Sequence, residues 1–584
     1  MTTTAPAPTA SRERAAPKHA WVPKLAGVLC ALIGVVDLAS ALSHANRRRL
    51  RELTELVPGT LTNASAAATL VTGILLLLLA RALYRRKRRA WRAVVVLLAG
   101  SVALHVLKGL DVEEALLTAA LLVALIVWRD EFPAKGDPRT RWRAVAAFVA
   151  LLVTSIVLGM LLVALRRNEL MSPYAFWPVL QHVVSGLLGI SGPLRWEPDR
   201  AGTNANDFIG DALLALGLLT AVTTVYLVLR PAEPVARLSR EDEDRMRCLL
   251  ERHGSRDSLA YFALRRDKSV LWSPSGKACI AYRVVSGVML ASGDPLGDPE
   301  AWPGAIAVFL DTAAEHAWVP AVMGCSEQAG IVWSRAGLSA LEIGDEAVVE
   351  VDQFSLEGRA MRNVRQAVAR VERAGYTCEV RRVSDISAEE RASLRRQAMA
   401  WRGTETERGF SMALGRFGDP RDPDCVAAMA YQDGALRAFL HFVPWGPDGL
   451  SLDLMRRDRN ADNGLNELLI VRSLAAAPGL GVRRLSLNFA VFRSSLERGE
   501  RLGAGPFLKA WRGLLLFVSR WFQIESLYRF NAKFRPVWEP RFVCYPSARD
   551  LPRVAIAALE AEAFLVWPRF PRLIGRDHRP EAVS

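Results

Sequence analysis

Cysteine and histidine are scarce in this chain, and their spacing excludes several kinds of site. Seven of the 584 residues are cysteine, and none stands in a CxxC or CxH arrangement, so neither a disulfide framework nor a zinc site is indicated. Among the eight histidines, His253, His316 and His441 are far apart and have no nearby partner pattern, which argues against a histidine-based catalytic triad. The turn at 293–297 lacks the Lys-Ser/Thr pair of a phosphate-binding loop.

Acidic residues are outnumbered by basic ones. The sequence has 75 lysines and arginines against 60 aspartates and glutamates, a formal net charge of +15 at pH 7. Such an excess suits anionic lipid, at about 1 kcal/mol per charge near a membrane surface, and it equally suits the phosphates of a nucleic acid. Charge alone does not separate these partners, and codon bias together with basic flanks of membrane spans explains it as simply.

Long apolar runs are concentrated in the first 230 residues. Runs of about 20 residues with few charges match the hydrocarbon thickness of a bilayer, about 30 Å. Six such runs lie at 21–43, 64–84, 91–108, 113–128, 142–165 and 208–229. The sequence therefore predicts a polytopic α-helical membrane domain with about six transmembrane helices and both termini on one side.

Basic loops set the expected orientation of this membrane domain. The clusters at 85–89 and 135–143 resist translocation, so these loops, and everything after Arg230, are expected in the cytoplasm. The four arginines within 47–51 argue against this orientation, because they fall in a loop that it places outside. The stretch 171–196 is apolar but broken by three prolines, which favours a re-entrant or interfacial segment over a seventh crossing.

The chain after Arg230 is patterned like a soluble protein, with room for two domains of about 150 residues each. Short strand-like runs separated by turn residues, followed by a helical pattern, occur twice, which suggests two α+β lobes. The runs lie at 270–272, 278–285 and 288–290 before helices at 305–316 and 360–374, and at 427–431, 436–443 and 449–455 before a helix at 463–477 and a strand at 484–489. The predicted division is a disordered tail (1–20), the membrane domain (21–230), two α+β domains (231–400, and 401–560 with the catalytic site) and a C-terminal tail (561–584).

Chemistry is expected around Ser451–Arg457, which is followed by Asn463 and Glu467. Strand alternation directs Asp453 and Arg456 to opposite faces. Both charges can reach one cleft only if a strand end or a bulge lies near Arg456. A solvated strand end in front of a helix explains the same pattern without any site.

A DLMRR element at 453–457 and an NGxxE element at 463–467 are accompanied by further motifs in a fixed order. These motifs lie at 261–266, 272–283, 293–297, 354–376, 407–411, 415–417 and 530–546. Together they resemble the lysyl-phosphatidylglycerol synthases, also called multiple peptide resistance factors. The resemblance covers about residues 245–550, and several collinear motifs make coincidence a poor explanation.

The resemblance implies a fold and an activity. Family members carry a cytoplasmic pair of α+β N-acetyltransferase-like (GNAT) domains behind a membrane region, and they move an amino acid from aminoacyl-tRNA to a hydroxyl of the phosphatidylglycerol head group. The chain is accordingly expected to be an aminoacyltransferase of the inner (plasma) membrane that gives resistance to cationic antimicrobial peptides by reducing the negative charge of the envelope. Lysine is the commonest amino acid in the family, while alanine and arginine stay open. No metal or cofactor is expected, because an aminoacyl ester is already activated.

Three features depart from the family. Larger members have more membrane spans, attributed to flipping the product, so a flippase role is not expected. Some actinobacterial relatives are fused to a lysyl-tRNA synthetase, for which a chain ending at Ser584 leaves no room. After Asn488 the family usually continues with a Gly-Met-Ala-Pro-like segment, where this chain has Phe489–Arg493; this difference puts the amino-acid specificity in question.

The reaction needs a positioned alcohol, removal of its proton and stabilisation of an oxyanion. Asp453 is expected to orient or deprotonate the lipid hydroxyl, and Arg456 to hold the lipid phosphate or stabilise the oxyanion. Glu467 and Glu539 are candidates for binding the ammonium of a tRNA-borne lysine. Asn463 is a further substrate-binding candidate, and Lys533, Arg535 and Arg541 are candidates for contacting the tRNA acceptor end or the lipid phosphate. A strand entry with an internal ion pair at 538–541 explains that part of the pattern equally well.

A strongly basic helix is expected at 360–374. Arginines three and four residues apart lie along one side of a helix, which could follow tRNA phosphates or rest on anionic lipid, with Arg362 and Arg365 as the candidate contacts. A merely solvated helix face is an equally good explanation.

Two other functions stay open at this stage. One is a related acyltransferase with another acceptor, such as a different lipid or a peptidoglycan precursor. The other is a non-catalytic membrane protein whose acyltransferase-like half only binds tRNA, lipid or a partner. The sequence leaves a homo-oligomer open as well.

Overall fold

The structure, a computed structural model, describes most of the chain. The described residues are 21–42, 73–84, 86–108, 112–132, 139–190, 192–196, 205–229, 234–402, 409–491 and 524–565. Predicted features outside them are the tail 1–20, the arginines within 47–51, Arg85, residues 566–584 of the C-terminal tail, and Phe492 with Arg493. The chain divides into two compact units, Met1–Ala232 with Glu315–Ala317, and Glu233–Ala314 with Trp318–Ser584.

The N-terminal unit is built from apolar helices. They are α1 (Val22–Leu42), α2 (Gly73–Tyr84), α3 (Arg88–Lys108), α4 (Val112–Val127), α5 (Arg139–Leu165), α6 (Phe176–Leu187) and α7 (Ala205–Leu229). An apolar helix overlaps each of the six predicted spans, but within the described ranges only Val145–Leu165 in α5 is long and apolar enough to cross a membrane. The six-span topology therefore stays a prediction.

The segment between α5 and α7 is a hairpin whose two ends meet. Leu170 and Trp196 form a β-bridge, and the indole N–H of Trp196 donates to the carbonyl oxygen of Arg166 at 3.3 Å. Helix α6 between these ends has 12 residues, a length of about 18 Å, against a bilayer core of about 30 Å. The segment thus begins and ends at the same end of α5, as a re-entrant segment does.

Close backbone packing holds this hairpin in place. A Cβ atom added at Gly217 of α7 would lie 1.9 Å from the carbonyl oxygen of Leu187 at the end of α6, so only glycine allows this approach. Helices α5 and α7 are also joined by the hydroxyls of Ser155 and Thr220, which lie 2.9 Å apart. The three helices therefore form one packed group.

The C-terminal unit is a mixed sheet packed against helices. Its strands are β1 (Ser269–Trp272), β2 (Ala278–Val285), β3 (Val288–Ser292), β4 (Leu296–Gly297), β5 (Val319–Cys325), β6 (Ser339–Glu350), β7 (Thr377–Arg382), β8 (Val426–Gln432), β9 (Ala435–Trp445), β10 (Gly449–Arg457), β11 (Arg484–Val491) and β12 (Val537–Tyr545). Its helices are α8 (Arg240–His253), α9 (Trp302–Glu315), α10 (Glu327–Arg335), α11 (Arg362–Arg373), α12 (Ala388–Arg402), α13 (Leu465–Ala476), α14 (Ile524–Ala532) and α15 (Leu551–Ala561). The strand order is β1-β2-β3-β5-β12-β6-β11-β10-β9-β8-β7, and β4 pairs with β2.

The same topological unit occurs twice in this sheet. In the first copy β2 and β3 are antiparallel, α9 follows, and β5 returns parallel to β3. In the second copy β9 and β10 are antiparallel, α13 follows, and β11 returns parallel to β10. This arrangement agrees with the two α+β lobes that the repeated sequence pattern predicts.

The two halves of the sheet are interlocked. The last strand, β12, lies between β5 and β6 of the first half, and β6 in turn pairs with β11 of the second half. Strand β7 pairs with β8, and α11 packs against α13, although both β7 and α11 precede residue 400. The sheet therefore runs across the predicted division at 400/401, and that division into two domains stays a proposal.

Candidate active site

The parallel strands β10 and β11 separate part of the way along their length. They pair only at Gly449–Ser451 against Arg484–Ser486. Beyond these residues β10 continues beside β9, and β11 continues beside β6. The carboxamide of Asn488 donates to the carbonyl oxygen of Leu452 across the start of this fork. The fork leaves two strand edges facing an opening, where a substrate can reach side chains from both strands.

A bulge at Asp453 brings the two predicted catalytic residues to one face of the sheet. Leu454 pairs with His441, and Arg456 pairs with Phe439; directly opposite residues on neighbouring strands share a face. Asp453 is the extra residue of the bulge, and its carboxylate reaches His441 on that same face. The bulge required by the sequence therefore exists, but it lies at Asp453 and not at Arg456.

Both carboxylate oxygens of Asp453 have partners. Its Oδ2 lies 2.6 Å from Nδ1 of His441, and its Oδ1 accepts the backbone N–H of Leu414 at 2.6 Å. The side chains of Asp453 and His441 are 3% and 1% exposed. Asp453 thus anchors both the imidazole and the segment 409–418, which crosses this face of the sheet.

Two polar atoms beside the bulge are buried without a hydrogen-bond partner. They are Nε2 of His441 and Oδ1 of Asn488. Asn488 also has a left-handed backbone, with φ of 68°, a conformation that costs energy in a residue with a side chain. Orphaned buried atoms and a strained backbone are typical of sites that keep capacity for a ligand.

Arg541 lies at the closed end of the fork and is buried, with 3% of its side chain exposed. Its Nη1 donates to Asp257 Oδ1 at 2.7 Å, its Nη2 to Ser258 Oγ at 2.7 Å and its Nε to Glu346 Oε2 at 2.9 Å. Ser486, the last β11 residue paired with β10, also donates to Glu346. The proposed contact of Arg541 with tRNA or lipid is not supported by this geometry, since the guanidinium is fully engaged inside the protein.

A third carboxyl group adjoins this network. The backbone N–H of Asp294 donates to Asp257 at 2.9 Å, and the carboxylate of Asp294 accepts the N–H and O–H of Ser326 at 2.7 and 2.6 Å. Burial, and after it the charge of Asp257, raise the pKa of Asp294 to about 7. Near neutral pH this buried carboxyl group is therefore partly protonated.

The other predicted substrate-binding residues lie around the start of α13. Lys533 and Glu467 form an ion pair of 2.8 Å, and Asn463 Oδ1 accepts from Arg457 at 3.1 Å. Helix α13 packs with Leu450 and Leu452 of β10, which belong to the face of the sheet opposite His441. The structure therefore brings Glu467 and Lys533 together, but on the other side of the sheet from Asp453.

Four further candidates lie elsewhere. Arg535 is exposed and has a positive φ of 53°. Glu539 lies opposite Glu346 in the sheet; partial burial, and after it the Glu346 carboxylate, raise the pKa of Glu539. On α11, Arg365 donates to the carbonyl of Gly358 at 2.7 Å and ties down the preceding loop, whereas Arg362 is exposed. Of the two basic candidates, Arg362 is thus the one placed for an external phosphate.

Sequence reasoning missed His441 and Asn488. The expectation that His441 has no partner was wrong, because the bulge brings Asp453 to it across the β9–β10 pair. The available signal was positional, since His441 lies on the strand that precedes the DLMRR element. Within the described part of the chain, no group of three or more His, Cys, Asp or Glu side chains is placed to hold a metal.

Two copies of one α+β unit, one of them with forked parallel strands, follow a unit of apolar helices along the chain. Residues 247–545 match the family model described as phosphatidylglycerol lysyltransferase, C-terminal, and residues 18–230 match that of the transmembrane region of lysyl-tRNA synthetase. The chain belongs to the phosphatidylglycerol lysyltransferase family, and its N-terminal unit is a membrane region.

Curated relatives agree with this assignment. The chain is 42% identical over 570 residues to a lysylphosphatidylglycerol biosynthesis bifunctional protein LysX of Mycobacterium avium, covering 95% of this chain and 48% of that protein. It is 40% identical over 563 residues to the protein of the same name from Rhodococcus jostii, covering 95% and 50%. The chain thus spans about half the length of these relatives. Among solved structures, L-PGS from Bacillus licheniformis is 23% identical, with a TM-score of 0.49, over 57% of this chain and 99% of that one.

Proposed function

We propose that this chain is a membrane-bound aminoacyltransferase that moves lysine from lysyl-tRNA to the head group of phosphatidylglycerol. The observation that carries the proposal is the β10–β11 fork with Asp453, His441 and Arg456 on one face, in a chain of the phosphatidylglycerol lysyltransferase family. Each transfer adds an ammonium group to an anionic lipid. The envelope then attracts cationic antimicrobial peptides less strongly.

The site supplies what transfer from an activated ester requires. The buried Asp453–His441 pair offers a place for the proton of the lipid hydroxyl, and Arg456 offers a forked cation for the lipid phosphate or the developing oxyanion. Oδ1 of Asn488 is a spare acceptor for an ammonium hydrogen of the aminoacyl group. Arg362 on α11 is the candidate contact for tRNA phosphates.

We further propose that the N-terminal unit crosses the inner (plasma) membrane six times, with the catalytic half in the cytoplasm. An apolar helix in each predicted span supports this topology, as do the basic clusters at 85–89 and 135–143. The hairpin at 170–196 supports a re-entrant segment, because its ends meet. On this topology the catalytic half works beside anionic lipid of the inner leaflet.

The test is a lipid extraction from cells that express the chain, with mass spectrometry of the phosphatidylglycerol fraction. The control is an Asp453→Asn variant that reaches the membrane at the same level. A mass increment of one lysine that disappears in the variant supports the proposal, and an increment of alanine or arginine would correct the donor. An increment on another lipid or on a peptidoglycan precursor would replace the acceptor. No increment on any of them would favour a binding protein without transferase activity.

A further inference from the structure

Nε2 of His441 is a polar atom with no partner in the interior of the C-terminal unit. His441 as a residue is 1% exposed, so bulk solvent does not reach this nitrogen. Buried polar atoms are nearly always hydrogen-bonded, and leaving one unpaired costs about 1–3 kcal/mol. An unpaired buried nitrogen next to a strand bulge at the candidate site is therefore a candidate for a contact with substrate.

The partner of the other ring nitrogen fixes the chemical state of this atom. Asp453 Oδ2 lies 2.6 Å from Nδ1 of His441, and an ionised carboxylate only accepts hydrogen bonds. Nδ1 therefore carries the proton of the neutral imidazole, and Nε2 has the basic lone pair. The same division of roles makes histidine a base in carboxylate-histidine pairs of hydrolases.

His441 lies on β9, on the same face of the sheet as Arg456 and one strand away from the fork. Asp453 is the bulge residue of β10, the strand between His441 and the place where β10 and β11 separate. The ring of Phe417 covers His441 edge-on, with 4.9 Å between the ring centroids. Phe417 belongs to the segment 409–418, which is tied down through Leu414 to Asp453 itself. Asp453 thus orients the imidazole and also holds the segment that packs against it.

We propose that His441 is the general base of the transfer reaction and that Asp453 orients it, an inference that rests on the proposed function. As the terminal hydroxyl oxygen of phosphatidylglycerol bonds to the carbonyl carbon of the aminoacyl ester, its proton passes to Nε2. When the tetrahedral intermediate collapses, the bond from that carbon to the ribose oxygen breaks, and the same proton passes from Nε2 to the ribose oxygen. Asp453 remains ionised and keeps its hydrogen bond to Nδ1 throughout.

On this assignment the packing around His441, which includes the ring of Phe417, must open before substrate reaches Nε2. Catalytic hydrogen bonds often form only in the complex with substrate, and an aromatic ring that contacts the imidazole by its edge is held by no hydrogen bond. This assignment differs from the expectation that Asp453 itself deprotonates the lipid hydroxyl. With Asp453 as the base, the reaction would need neither His441 nor a particular tautomer of its ring.

The test compares initial rates of the full-length protein in phosphatidylglycerol vesicles with lysyl-tRNA, as a function of pH. The variants are His441→Gln and Asp453→Asn, and the matched control is His253→Gln, a histidine at the end of α8. We expect His441→Gln to lower kcat at least 100-fold, within the range that a positioned base contributes, with little change in KM. The wild-type rate should fall on the acid side of its pH profile, because an imidazolium cannot accept a proton, and this acid limb should be absent from the residual activity of His441→Gln. Asp453→Asn should lower kcat as strongly, because an amide can donate to Nδ1 and reverse the tautomer.

Each result decides the matter. A folded His441→Gln variant within tenfold of wild type, with the acid limb intact, overturns the inference, and a loss confined to Asp453→Asn would assign the base to Asp453. If His441→Gln does not fold, a wild-type pH profile without an acid limb overturns the inference equally. A wild type that transfers no amino acid to phosphatidylglycerol overturns the proposed function and this inference together. If the wild type is active, the proposed function stands, and the result with His441→Gln decides the inference alone.

Discussion

Replacing Arg541 by methionine should destabilise the protein strongly, because its guanidinium forms ion pairs with the buried carboxylates of Asp257 and Glu346. Arg541→Met removes this cationic partner from both carboxylates, whose side chains are 3% and 1% exposed. Breaking a buried ion pair from one side typically costs about 3–5 kcal/mol, since a charge is left without compensation. At roughly 2 °C per kcal/mol for a unit of this size, the melting temperature should fall by about 6–10 °C.

The assay is thermal unfolding of the full-length protein in detergent, followed by tryptophan fluorescence. The matched control is Arg472→Met, which breaks the ion pair to Glu372; those two side chains are 50% and 36% exposed, and such exposed pairs contribute about 0–1 kcal/mol. A second variant, Arg541→Met with Glu346→Gln, should recover part of the loss because it removes one of the two unpaired charges. If Arg541→Met melts with the control and instead raises KM for tRNA or lipid, Arg541 contacts substrate and the reasoning is refuted.

Three further predictions concern the hairpin, a buried acid and the basic helix. Gly217→Ala should lower the melting temperature of the full-length protein in detergent, because the new Cβ would lie 1.9 Å from a carbonyl oxygen, whereas Gly210→Ala, with nothing within 4 Å, should not; equal melting would contradict the packing of the hairpin. The pKa of Asp294 is raised to about 7, so between about pH 4 and 7 the folded protein keeps a proton that the unfolded chain has released. Stability due to this group therefore falls as pH rises through that window, and Asp294→Asn should flatten the fall in denaturant titrations; an unchanged slope would show that Asp294 ionises normally. Arg362→Gln should weaken binding of different tRNAs alike and reduce the salt slope by about 1, while the exposed Arg396→Gln serves as control; an unchanged slope would exclude Arg362 from the tRNA contact.

Much of the fold follows from local patterns in the sequence. The predicted strand 278–285 coincides with β2, and the predicted strands at 427–431, 436–443 and 449–455 fall within β8, β9 and β10. These strands have the alternation and turn residues that set β-structure locally. Strands β5 and β6 were not predicted, and β12 was predicted only as one of two interpretations of 538–541, because their pairing depends on partners far away along the chain. β12 lies between β5 and β6, a neighbour relation that no local pattern contains.

Part of the candidate site also follows from local patterns in the sequence. The sequence located the DLMRR strand and showed that Asp453 and Arg456 need a bulge to share a face. It did not place the bulge, since a bulge is defined by the register against β9, and that register decides that Asp453 meets His441. Nor did it separate Arg541 from the substrate candidates, because an arginine in a strand has the same pattern whether it binds an external phosphate or an internal carboxylate.

The two halves of the sheet differ in how their parallel strands pair. Both halves have an antiparallel pair, a helix and a returning parallel strand, but β3 and β5 pair along the whole of β3, from Val288–Val319 to Ser292–Met323. In the second half the corresponding pairing stops at Ser451–Ser486, and the strands diverge at the two irregularities that follow. The first half instead supplies Asp257 and Glu346, which form ion pairs with Arg541 at the closed end of the fork. It also supplies strand β5, which pairs with the strand of Arg541, β12. The continuous copy therefore serves as the rigid support on which the opened copy can keep a strained, partly unsatisfied site.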